Sequence, residues 1–458
     1  MSALSEHNKM HESDASDTLS TNAEILPEVE KQPQQDVEQA VPVDKPAGPP
    51  PGAFDPRQNP DGGREAWLVV AGGFCCLFCS FGWINCIGVF QNYYETHQLS
   101  QYSGSTIAWI PSCEAFMMFV LGPVIGKIYD NYGPRWLLIV GTILHVFGLM
   151  MTSLSSELYQ FILAQGICSA AGASMVFYPA MSTVSTWFFH KRAFAFGCMA
   201  AGSSLGGVIF PIMVAHLIPE VGFAWTMRIC AFLILGLMIV ANLTVRSRIP
   251  PFPKPVNLME FITPLRELPF VLTTLGSFLF FFGMFLPINY IILQAGSLGM
   301  SSNLSQYLVS ILNAASLFGR TLPGFIADKI GRFNTMIFMT FFTGIIVLAL
   351  WIPAKANAPI IVFAALYGFG SGAFVSLAPA VVAQISDVRQ IGVRTGTLFA
   401  IISFAALASN PVGGALVSDD NGKYIGLQVF CGVMACAGGV AMVGARLRLA
   451  GPSLRVKV

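Results

Sequence analysis

The stretch GKIYDNYGPR, Gly126 to Arg135, returns 198 residues later as GFIADKIGR, Gly324 to Arg332. In both, a glycine precedes an aspartate by four residues, and a glycine and an arginine follow. Two more markers keep the same order and nearly the same offset. Gly172 stands seven residues before Pro179, and Gly372 seven before Pro379. Pro211 is matched by Pro411. Three ordered markers indicate a duplicated chain. The repeated stretch also has a physical reading. Glycines let helix ends approach closely, and an aspartate can cap the following helix and pair with arginines. Gly126, Asp130, Gly133, Arg135, Gly324, Asp328, Gly331 and Arg332 are therefore candidate gating and structural residues.

Around these stretches the chain is largely hydrocarbon. Hydrophobic residues make up 54% and charged residues 11% of 458 positions, and the mean hydropathy is +0.64. Soluble proteins carry about a quarter charged residues. The apolar residues form long blocks of the length that a bilayer core requires of a helix, about 20 residues. Twelve spans are expected, at 66–94, 105–126, 136–155, 159–184, 193–218, 229–245, 269–293, 304–327, 333–354, 359–386, 395–416 and 424–445. The fold class that follows is an all-α integral membrane protein of twelve transmembrane helices in two six-helix halves. The expected division is a disordered acidic tail at 1–64, a first half at 65–245, a linker at 246–268, a second half at 269–446 and a basic tail at 447–458.

Charge placement orients these spans. With both termini cytoplasmic, 16 Lys and Arg residues fall in cytoplasmic connections and the C-terminal tail, against 3 outside. Cytoplasmic loops of membrane proteins carry this excess. A wrong span count would have inverted every later loop. The expected location is the plasma membrane. Residues 1–64 hold 12 of the 24 acidic residues and are rich in Pro, Gln and Glu, too polar to fold alone. Such a tail suits modification on Ser or Thr, or an ancillary protein partner. All ten cysteines lie in or beside spans rather than in outer loops, so they read as small packing residues and not as disulfides.

Two ionisable groups stand out at depth. Arg320 is the one charged side chain between Glu267 and Asp328. It lies eight residues before Asp328, roughly 12 Å from the end of its helix at 1.5 Å per residue. A charge there costs about 2.5–3.5 kcal/mol on insertion scales, so it must face a cavity or a buried acceptor. Its planar fork suits a carboxylate. Glu114, in WIPSCEAFMMF, is the candidate for proton coupling. His145 and His216 read as a packed and an interfacial histidine. YGFGSG, Tyr367 to Gly372, lies within an apolar helix, and GPVIGK lacks the Ser or Thr of a phosphate loop. With no metal-ligand cluster, no nucleophile–base pair and no basic patch for nucleic acid, the sequence points away from an enzyme and toward no cofactor. The expected partners are membrane lipid and a small-molecule substrate, an organic anion. A membrane sensor that binds a ligand without moving it is the second class.

The repeated loops resemble the signature of the major facilitator superfamily. DGGREAW, Asp61 to Trp67, and WFFHKRAFAFGCMAAGSSLGG, Trp187 to Gly207, resemble its monocarboxylate porter branch, and the long acidic tail with NAASLFGR is similar to fungal members. The likeness covers about 61–446. It implies the major facilitator fold, secondary transport by alternating access without ATP, and a gating role for Lys191 and Arg192. The branch's arginine in span eight matches Arg320, which is the expected substrate anchor; Asn85, Ser316, Asn313 and Tyr178 are further substrate-binding candidates. Where that branch usually carries an aspartate four residues before the arginine, this chain has Ser316. Where it carries a lysine in span one, this chain has Asn85. Two of three ionisable groups are thus absent, which argues against proton-coupled uptake of lactate or pyruvate. Export, including export of a specialised metabolite made by a neighbouring biosynthetic gene cluster, becomes at least as plausible.

Overall fold

The computed structural model describes residues 59–458, apart from 252, 256, 258, 454, 455 and 458. The expected disordered tail lies, as far as residue 58, outside the described residues. Those residues form helices and connections, with no strand among them.

Among the described residues, twelve long helices cross the molecule. The first, α1, is broken into Arg64–Cys79, Phe81–Ile84 and Ile87–Thr96. Then come α2 (Trp109–Tyr132), α3 (Arg135–Thr152) and α4 (Leu158–Val184). The run Arg192–Thr244 is bent at Gly222, whose φ is 78° and ψ 165°, into α5 (192–221) and α6 (223–244). The second half holds α7 (Leu268–Ser297), α8 (Leu308–Ile330), α9 (Arg332–Trp351), α10 (Asn357–Gln384), α11 (Ile391–Asp419) and α12 (Ile425–Ala450). Among the described residues, ten helical runs are long and apolar enough to span a membrane. Two of the twelve helices share one such run, α5 and α6. The polar and charged face of α8 keeps that helix off the hydropathy count.

The repeated stretches are not loops, as their polarity suggested. Gly126 and Asp130 lie within the last turns of α2, and Gly324 and Asp328 within those of α8. Helix persists there because the segment joining the halves covers polar side chains: Lys127 pairs with Glu260, and Asn131 donates to the Lys254 carbonyl at 2.9 Å. Lys127 and Asn131 are almost inaccessible. Gly133 (φ 78°) and Gly331 (φ 110°) stop the two helices in a conformation that side chains with a Cβ avoid. The chain then turns directly into α3 and α9.

Small residues set the spacing between the halves. A methyl group on Gly126 would come within 2.1 Å of the Gly392 carbonyl, and one on Gly396 within 2.2 Å of the Gly122 carbonyl. These contacts clamp α2 to α11. In the symmetric position, Gly324 packs on Ala193 and Gly197 on the Arg320 carbonyl, which clamps α8 to α5. Close approach of this kind drives helix association in lipid, where burial of apolar surface contributes little.

Candidate substrate site

Arg320 projects from α8 into the junction with α5 and α1, and is 3% exposed. Its Nε donates to Ser316 Oγ at 3.2 Å, one turn earlier on the same helix. Its Nη1 donates to the Ala200 carbonyl at 3.0 Å and to Ser203 Oγ, both on α5. The guanidinium carbon lies 5.6 Å from the centre of the Phe81 ring. The ion pairs among the described residues are Lys127–Glu260, Arg332–Asp328 and Arg394–Glu267. Arg320 thus has no carboxylate partner among them. A buried guanidinium held only by neutral oxygens keeps its full charge available to an incoming anion.

Asn313, Ser316 and Arg320 share one face of α8, being spaced at three and four residues. Asn313 Nδ2 donates to the Val309 carbonyl at 3.1 Å and to Gly207 of α5 at 3.4 Å. A methyl on Gly207 would meet the side chains of Asn313 and Asn85 at 2.9 Å each. The structure therefore brings four expected residues, Arg320, Ser316, Asn313 and Asn85, to one seam between the halves. Asn85 stands at the second break in α1 and donates to the Phe81 carbonyl at 3.1 Å. Ser204 joins the group by donating to Ser316 at 3.2 Å. The sequence reading singles out none of Ala200, Ser203 and Ser204. Their spacing of three and four residues along α5 was the signal that one face addresses α8.

Tyr178 stands apart from these four. Its hydroxyl donates to the Phe119 carbonyl at 2.8 Å, and its ring lies 6.1 Å from that of Phe399. A cluster of phenylalanine rings occupies the centre, between Tyr178 and Arg320.

Glu114 also lies elsewhere, wholly inside the first half. Gln165 Nε2 donates to Glu114 Oε2 at 2.8 Å, and the Tyr94 hydroxyl donates to Gln165 Oε1 at 2.8 Å. Gln165 sits in a π-helical stretch of α4, Ile162–Ser169, a local widening that is frequent at functional sites. His145 is packed beside this stretch, against Ser169 and the Cys79 carbonyl. Neither group reaches Arg320.

At the face carrying most of the basic residues, the halves are tied by backbone capping. Asp130 accepts from the amides of Gly392 and Val393 at 2.9 Å each, at the start of α11. Asp328 accepts from Ala193 at 3.0 Å and Phe194 at 2.9 Å, at the start of α5. The expectation that each aspartate caps its following helix is corrected. Each caps a helix of the opposite half, because its own following helix begins with a left-handed glycine turn that points the other way. Arg332 pairs with Asp328 as expected and also donates to the Phe189 carbonyl at 2.6 Å. Arg135 is exposed, with no such pair among the described residues. Arg192 donates to the Ala383 carbonyl at 2.9 Å, which reaches across to the end of α10. Lys191 contributes its amide to Asp61 at 3.1 Å, as do Phe189 at 2.7 Å and His190 at 2.8 Å. The two stretches singled out by sequence, Asp61–Trp67 and Trp187–Gly207, are therefore bonded to each other.

Comparison with known proteins agrees with this architecture. The family model described as Major Facilitator Superfamily matches residues 73–357 and 273–457. An MFS-type transporter of Ophiocordyceps is 58% identical over 90% of this chain and 91% of its own length. The fujikurins efflux protein of Gibberella fujikuroi is 49% identical over 85% and 84%. Among solved structures, FucP in the outward conformation superposes with a TM-score of 0.65 at 13% identity, over 83% of this chain and 99% of that one. The human organic anion transporter MFSD10 gives 0.66 at 15% identity, over 85% and 100%. These last two likenesses speak to fold alone.

Proposed function

Because this chain belongs to the Major Facilitator Superfamily, a family of membrane transporters, we propose that it exports an acidic specialised metabolite by alternating access. The observation that carries the acidic part is the uncompensated guanidinium of Arg320 at the seam between halves. The outward direction is supported by relatives named as efflux proteins, for fujikurins and for aspyridones. The paired stretches at Asp61 and Trp187 support a place in the monocarboxylate porter branch. With Ser316 and Asn85 beside it, Arg320 has no carboxylate partner among the described residues. On this reading the substrate passes through chemically unchanged. The basic face lies in the cytosol with both termini, in the plasma membrane, and residues 246–268 join halves at 65–245 and 269–446. The substrate anion binds Arg320 with Asn85, Ser316 and Asn313 beside it.

Removal of the chain from its native cell tests this. An acidic metabolite should accumulate inside and fall in the medium, and the wild-type chain should reverse both changes. Arg320→Lys keeps the charge but loses the planar fork, so it should restore little export while reaching the membrane normally. Equal restoration by Arg320→Lys would remove Arg320 from the role of anchor. An unchanged medium on removal of the chain would sink the export reading.

A further inference from the structure

Six phenylalanine rings gather between the halves, three from each, and one of them, Phe81, lies beside Arg320. Phe81, Phe119 and Phe177 come from α1, α2 and α4, and Phe281, Phe374 and Phe399 from α7, α10 and α11. All are buried, each at 5% exposure or less. They meet across the seam. Phe119 and Phe399 stack at 5.5 Å with an interplanar angle of 14°. Phe177 approaches Phe399 edge-on at 5.5 Å, and Phe119 approaches Phe281 at 6.3 Å. Within the halves, Phe81 lies 6.0 Å from Phe119, and Phe281 lies 5.9 Å from Phe374. Phe81 is also the ring beneath the guanidinium.

The depth of the rings matters. Phe399 stands eight residues into α11 from the basic face, roughly 12 Å at the helical rise. Arg320 stands ten residues before the end of α8 at Ile330, roughly 15 Å by the same rise. Alternating access must part the halves at this level, and parting separates Phe119 and Phe177 from Phe281 and Phe399. Ring pairs have preferred offset and edge-on geometries and contribute beyond their buried area. A small hydrophilic acid would satisfy Arg320 but leave these faces against water. A flat unsaturated ligand would take the place of the partner rings while its acid group met the guanidinium.

We propose that the substrate is an aromatic or extensively conjugated organic anion. Its ring system is held between Phe119 and Phe399, and its acid group by Arg320. This inference rests on the anchoring role of Arg320 given above and adds the substrate's apolar part.

The test uses the full chain in lipid nanodiscs and three probes: 1-naphthoate, acetate and the uncharged 1-naphthalenemethanol. Equilibrium binding should rank naphthoate about tenfold or more above acetate, an affinity ratio worth about 1.4 kcal/mol. Naphthoate should also exceed the alcohol. Phe399→Leu and Phe119→Met keep apolar bulk and remove the flat face. Either should weaken naphthoate about tenfold with acetate unchanged, and two variants allow for one that misfolds. Equal affinity for naphthoate and acetate, or naphthoate binding indifferent to both substitutions, overturns the proposal and leaves Arg320 as anion anchor. Naphthoate binding unchanged in a correctly inserted Arg320→Gln variant overturns the anchoring role itself, and this proposal with it.

Discussion

The carboxylate of Asp130 sits 2.9 Å from the backbone nitrogen of Gly392, 262 residues away along the chain. A negative charge at a helix N-terminus meets both free amides and the positive end of the helix dipole. Asp328 repeats the arrangement at the start of α5. Together they tie the halves at the basic face. We predict that Asp130→Asn loosens this face, since one carboxylate oxygen becomes an NH2 group opposed to an amide donor. Hydrogen bonds to charged groups contribute about 1.5–3 kcal/mol each, so the open population should rise by about tenfold or more. Spin labels at the exposed positions Tyr132 and Gln390 would report it as growth of a longer distance. An identical distance distribution would show that the tie does not control opening.

Asp61 makes a different bond pattern. One oxygen gathers three consecutive amides, those of Phe189, His190 and Lys191, from a residue with φ of 49°. Asp61→Ala should lower the thermal unfolding midpoint in detergent by several degrees, consistent with a loss of about 1–2 kcal/mol. Asp61→Asn retains an accepting oxygen and tolerates positive φ, so it should fall between the two. Equal midpoints for Ala and wild type would make the contact incidental.

Glu114 provides a third prediction. Its bond from Gln165 can be kept by a glutamine, which accepts through its amide oxygen. Glu114→Gln should therefore preserve packing and substrate exchange but remove the dependence of net export on external pH. An unaltered pH profile would exclude Glu114 from proton coupling.

Orientation is open to direct measurement. Epitope tags at both chain ends should be hidden from antibody in intact cells and revealed by permeabilisation. A tag between residues 97 and 103 should be labelled from outside. Labelling of either terminus in intact cells would refute the placement drawn from the 16 to 3 charge asymmetry.

Much of this was legible from residue order. The duplicated Gly126–Arg135 and Gly324–Arg332 stretches gave the two halves, and the isolation of Arg320 in hydrocarbon marked the seam. Their limits lie in physical range. Local chemistry announces that Asp130 will cap something. It cannot say that the recipient is α11, because the choice is made by glycine contacts between halves. Hydropathy ended the second span near Lys127, since a polar helical turn buried by another helix looks the same as a loop. Glu114 and Arg320 were legible as buried ions. That they occupy separate networks depended on what packs against each: Gln165 of the π-helical stretch of α4 meets Glu114, and Ala200 and Ser203 of α5 meet Arg320.

Gly222 alone interrupts helix between α5 and α6. A joint of one residue keeps the ends of the two helices together, while glycine leaves the angle between them free to change. A shift of the arm that bears Ala200, Ser203 and Ser204 therefore carries the near end of the other arm with it. Phe232, Ile239 and Leu243 on that second arm are widely exposed, where acyl chains would surround them. Movement at the seam is thus passed, through one glycine, to a helix whose outer face belongs to the lipid.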